Sequence, residues 1–167
     1  MNYGNDFAFH RNLLVLLAQR MRPDCFLELG LAEDPCISVV AEHCHRSYGV
    51  DHRALTLASP PNTTIVEMTT DEFFQDYANT IPAPDLVLVD ADHSKDQVIK
   101  DLSNISKIAA DNCLVLVHDT YPMTEAETDA GHCSDSYKVP GLLDWEHVTL
   151  PCPPGLTLLR MKPRLLF

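Results

Sequence analysis

A repeated alternation constrains this chain more than any other feature of its sequence. Segments 25–29, 47–51, 63–67, 86–90 and 113–117 are short and strand-like, and segments with helical spacing lie between them. The runs 86–90 and 113–117 are wholly apolar before their ends, as expected of strands buried on both faces. Residues 146–150 and 156–160 flank Pro151-Cys152-Pro153-Pro154-Gly155, the pattern of a hairpin with a proline-rich turn. Strand–helix alternation followed by a hairpin predicts an α/β fold. It has three layers, with a mostly parallel seven-stranded sheet, helices on both faces and a C-terminal antiparallel hairpin. The 167 residues, with no linker or repeat, predict a single domain over 1–167.

The helices carry local signals of their own. Residues 5–21 place Phe9, Leu13, Leu17 and Met21 on one stripe, with Leu14 and Leu16 widening it, and Arg22-Pro23 ends that helix. Asp34-Pro35 reads as an N-cap followed by proline at the first helical position, opening a helix through Ile37, Val40, Ala41 and Cys44. Thr69-Thr70-Asp71-Glu72 is a capping signal, and Ser94-x-x-Gln97 reads as a capping box ahead of Val98, Leu102, Ile105 and Ala109.

Four strands carry an acid at or just past their ends: Glu28, Asp51, Asp90 and Asp119. In an open parallel sheet, ligands sit outside the carboxyl ends where strand order reverses, so residues 28–34 are expected to line the site. A dinucleotide would set its pyrophosphate over a glycine-rich turn. Here the turn is Gly30-Leu31-Ala32-Glu33-Asp34, with one glycine and two carboxylates that would repel phosphate. A ligand carrying ammonium and sulfonium groups is attracted instead, which favours S-adenosylmethionine over NAD.

The formal net charge of −12 opposes nucleic-acid binding, which needs a basic surface, and points to a small-molecule substrate. No run reaches the ~20 apolar residues of a membrane span, and the first residues lack a signal-peptide pattern, so a cytoplasmic protein is expected. The six scattered cysteines are read as free thiols, with Cys25 and Cys113 on buried strands. His43-Cys44-His45 is not read as a metal tract, because side chains two apart on a helix diverge. Trp145 is expected in the core or in a pocket wall. Whether the chain forms a homo-oligomer is left open by the sequence.

Several segments together carry a family resemblance. They are Glu28-Leu29-Gly30, Gly49-Val50-Asp51, 68–74, 85–93, and Val117-His118-Asp119-Thr120-Tyr121-Pro122, with 133–138 following. In this order and spacing they resemble class I methyltransferases of the methyltransferase 24 type, similar to macrocin and catechol O-methyltransferases, over roughly residues 24–140. The resemblance implies a Rossmann-like fold and S-adenosylmethionine, with Glu28 and Gly30 at the methionine part, Asp51 at the ribose and Thr70-Asp71 near the adenine. Asp90 completes the cofactor set. With Asp119 it also matches the acids that bind Mg²⁺ or another divalent metal in metal-dependent relatives. His93 falls where catechol-type enzymes carry a general base, and His118 is the second candidate for proton transfer.

The expected activity is O-methylation of a small hydroxylated molecule, assisted by a metal. Asp34 and Pro35 stand where the family usually has further glycines. That departure keeps a non-catalytic Rossmann-fold module as the alternative, beside a metal-dependent hydroxylase of related fold.

Overall fold

The computed structural model describes residues 7–32, 35–53 and 60–161. The start of the first helix at residues 5–6 and the pair Glu33-Asp34 lie outside these residues. So do the cap assigned to Asp34 and the charge argument built on that pair.

Helix α1 (Phe7–Met21) leads into β1 (Cys25–Leu29). A short α2 (Ile37–Val40) tightens into a 3₁₀ turn over Ala41–His43 before β2 (Arg46–Asp51) and β3 (Thr63–Glu67). Thr69 then caps α3 (Thr70–Glu72) reciprocally with Glu72, as its capping signal predicts. The helix winds on through a π-turn over Phe73–Tyr77 to a 3₁₀ turn at Ala78–Thr80. Next come β4 (Leu86–Val89), α4 (Lys95–Ile108), β5 (Leu114–His118), and the hairpin β6 (Glu146–Leu150) and β7 (Leu156–Arg160).

One seven-stranded sheet has the order β3-β2-β1-β4-β5-β7-β6. The first five strands are parallel, and β7 is antiparallel to both β5 and β6. Strand order reverses beside β1. In register, Leu29 faces Val89 and Val89 faces Val117, so β1, β4 and β5 end in one row.

The period-two alternation of β4 and β5 serves two cores at once. Val87, Val89, Val115 and Val117 pack with Val98, Leu102 and Ile105 of α4. Leu86, Leu88 and Leu116 pack on the other face with Leu14 and Ala18 of α1 and Ile37 and Val40 of α2. Cys25 and Cys113 are buried as expected, and all six cysteines are free thiols. Among the described residues, no helix is long and apolar enough to cross a membrane.

Two local readings are corrected. The buried line of α1 is His10, Leu14 and Ala18, whereas Phe9 is 40% and Met21 36% exposed. Leu13 and Leu17 pack only on its flank. Apolar residues cover more than half of this helix, so its pattern does not single out a face, and the sheet selects one. The second correction concerns Ser94, which stands at the N-cap of α4 but makes no side-chain cap bond. Its own amide is taken by Asp92 Oδ1 at 2.7 Å, and Gln97 turns instead to partners across the site.

Candidate active site

The chain leaves β1 through Gly30, whose φ of +86° suits only glycine. A Cβ at this position would sit 2.2 Å from the backbone oxygen of Asp90. The ends of β1 and β4 therefore nearly touch, and beyond them opens a cavity of about 1080 Å³. Gly30, Asp51, Thr70, Asp90, His118 and Asp119 are among its lining residues.

Glu28 is not. It is 2% exposed and lies on the same side of β1 as Phe26, against the α1–α2 layer. Its carboxylate accepts the backbone N–H groups of Cys36 at 2.9 Å and Ile37 at 2.5 Å. Burial pushes this carboxyl up to about 8, against the pull of those two hydrogen bonds. Glu28 thus ties β1 to the start of α2 and is not among the residues that line the cavity.

Asp51 reaches the cavity, but its oxygens are already engaged. Oδ2 accepts from Leu31 N at 2.9 Å and Arg53 Nη2 at 3.2 Å. Oδ1 accepts from Arg53 N at 2.8 Å and Arg53 Nε at 3.1 Å. Burial opposes ionisation here, but the Arg53 and Leu31 donors outweigh it and hold the carboxyl below its usual range. Arg53, which also donates to the Leu31 carbonyl at 2.7 Å, was not foreseen from the sequence. A basic residue two positions beyond the strand-end acid was the available signal.

Asp90, at the end of β4, and Asp119, just past β5, converge with two histidines. His118 Nδ1 stands 3.1 Å from Asp90 Oδ1 and 3.4 Å from Asp119 Oδ2. His93 Nε2 is 3.4 Å from Asp90 Oδ1, and its Nδ1 is 3.0 Å from Asp119 Oδ2. That Nδ1 also donates to the His132 carbonyl at 2.6 Å, so it carries a proton. Asp119 is aimed by a left-handed backbone, φ 58°, a conformation aspartate tolerates better than most residues.

Burial disfavours every charge in this group, yet opposite charges prevail. Asp119 and Asp90 raise His93 to about 11 and His118 to about 10, while the histidines hold Asp90 at about 2 and Asp119 lower still. The facing imidazoles thus offset the repulsion between the two carboxylates. The two acids in turn pull both facing imidazoles toward their charged form.

The same atoms can hold an ion. One ligand atom each from Asp90, His93 and Asp119 lie within 4.8 Å of one another. Two carboxylates and an imidazole suit a divalent cation of the Mg²⁺–Mn²⁺–Fe²⁺ range.

Thr70 and Asp71 line the cavity on the α3 side, bonded to Gln97 and, for Asp71, also to Lys100. His10 of α1 lies behind the centre, its ring 4.3 Å from that of His118. Burial and the neighbouring His118 cation lower its pKa to about 4. Nothing in the spacing of α1 marked His10 as a neighbour of the strand-end acids. Trp145 packs against the core and does not line the cavity. His43 pairs with Gln19 and His45 with Asp24, so the His-Cys-His tract diverges as expected.

A doubly wound sheet with its cavity at the β1 switch point, an acid ending β2 and polar residues opening the segment after β3 define the class I methyltransferase architecture. The family model described as "Methyltransferase domain" matches residues 36–120, half of the chain, and the chain belongs to that family. No curated protein matches the sequence.

Among solved structures, the SAH-bound methyltransferase PaMTH1 of Podospora anserina superposes with a TM-score of 0.66 at 15% identity, covering 92% of this chain and 78% of that one. The O-methyltransferase TomG of Streptomyces achromogenes, involved in tomaymycin synthesis and solved with SAM, gives 0.68 at 17%, with coverage of 91% and 79%. The MycE methyltransferase of the mycinamycin pathway, solved with Mg and SAH, gives 0.71 at 12%, covering all of this chain and 53% of that one. At these identities the likeness is one of fold.

Proposed function

We propose that this methyltransferase uses S-adenosylmethionine to methylate a hydroxyl of a small molecule, with a divalent ion assisting. The observation that carries the reading is the meeting of Asp90, Asp119, His93 and His118 on the wall of the cavity that opens beyond Gly30. The SAM, SAH and Mg named with the three superposed structures support it.

When bound, the cofactor supplies the methyl group, and a divalent ion at Asp90 and Asp119 would acidify an acceptor hydroxyl. The chain's own part is positioning. Gly30 on the cavity wall borders the methionine part, Asp51 would accept from the ribose where the Arg53 side chain gives up its acceptor sites, and Thr70-Asp71 border the base. His93 and His118 are the groups placed to take up and release the acceptor's proton, His93 doing so where an ion would be held by Asp90 and Asp119 alone.

The unbroken sheet supports treating residues 1–167 as one domain, and six free thiols fit a reducing cytoplasm. One observation favours the non-catalytic alternative: Arg53 occupies the acceptor sites of Asp51.

Thermal unfolding with S-adenosylhomocysteine separates the readings. A ligand that binds only the native state raises the melting temperature by mass action. A rise with this ligand and none with NADH is expected. No rise at millimolar S-adenosylhomocysteine would favour the cofactor-free module.

A further inference from the structure

Gln97 and Asp101, one turn apart on α4, form a polar pair that the proton and metal chemistry above does not use. Gln97 lines the cavity opposite Thr70 and Asp71. Its Nε2 lies 3.0 Å from Thr70 Oγ1, 3.2 Å from Asp71 Oδ1 and 3.0 Å from Asp101 Oδ1. Two of these partners are carboxylates, which only accept when ionised, so the end of the amide facing them is the NH₂ group. The other end, the carbonyl Oε1, takes no hydrogen bond among the described residues.

Asp101 is fully buried, and its Oδ2 has no partner. A carboxylate in such a place costs free energy unless it is compensated. Its side-chain partner is Gln97, which lies on the cavity wall with Thr70. The arrangement locks one side-chain amide with its acceptor end free.

We propose that Gln97, held by Asp101, is the residue that reads the ligand's nucleobase, its Oε1 accepting a hydrogen bond from an exocyclic amine such as that of adenine. This rests on the S-adenosylmethionine reading and adds to it a specificity-determining residue, with Asp101 as its positioning partner. A base carrying a carbonyl at the same place would set acceptor against acceptor, and a site built to bond an amine rejects the analogue lacking it.

Calorimetry on the full chain tests this with two ligands, S-adenosylhomocysteine and its inosine counterpart S-inosylhomocysteine. Wild type is expected to bind the adenosine compound at least about tenfold more tightly, the equivalent of one hydrogen bond made against one acceptor opposed. In Gln97→Met and Gln97→Leu the gap should close to less than about threefold, mainly through weaker binding of the adenosine compound. Asp101→Asn should narrow the gap without touching the ligand. A gap that survives in both Gln97 variants, or is absent from wild type, overturns the assignment while leaving the cofactor reading intact. Failure of wild type to bind S-adenosylhomocysteine at all overturns both.

Discussion

Asp90 and Asp119 were legible as a pair because two apolar runs ending in acids must finish at one edge of a parallel sheet. Glu28 satisfied the same pattern but stops two residues short of the strand-end row, where it holds the backbone of Cys36 and Ile37. Glu28→Gln should therefore act on stability. One amide N–H would meet the new NH₂, costing about 1–3 kcal/mol in urea unfolding, with affinity for S-adenosylhomocysteine nearly unchanged.

For Asp51, replacement by alanine should weaken binding of that ligand by about 1.5–3 kcal/mol, read by calorimetry. It should also destabilise the fold, since the buried Leu31 N–H loses its acceptor, a cost that a strand-end position beside solvent would not suggest. Arg53 and Gln97 were not legible. The reach of a long side chain toward a partner on another element is not written in spacing.

At the scale of elements, periodicity identified the strands and α4 but not the inner face of α1, where Leu13 to Leu17 is an unbroken apolar run. Leu14→Ala should cost about 2–5 kcal/mol, whereas Leu16→Ala, at a site 52% exposed, should stay within about 0.5 kcal/mol in the same urea titration. The capping box at Ser94 failed because Gln97 found two carboxylates to bond, and tertiary partners override a local pattern.

On the same helix, burial raises Asp101 from its ordinary 3.8 to about 6, against the pull of Thr70 and Gln97. A carboxyl raised in the folded state contributes stability that is fully present below the unfolded pKa and lost as pH rises through the folded one. Wild type should thus lose on the order of 3 kcal/mol between pH 4 and pH 7 relative to Asp101→Asn. Parallel slopes for the two proteins would mean Asp101 ionises normally.

For the molecule as a whole, the strand–helix alternation predicted the sheet and its antiparallel hairpin, and the reversal of strand order beside β1 puts the cavity beyond that strand. The charge balance at the site was less legible, because it depends on where the His93 and His118 rings settle relative to both acids. The central claim is that the cavity beyond Gly30 holds S-adenosylmethionine beside a metal at the strand-end acids. Diffraction from crystals grown with S-adenosylhomocysteine and Mn²⁺ tests it most directly. The account predicts adenosyl density between Asp51 and Gln97 and an anomalous peak within bonding distance of Asp90 and Asp119. Density for the ligand outside this cavity, or a cavity left empty at saturating ligand, would contradict it.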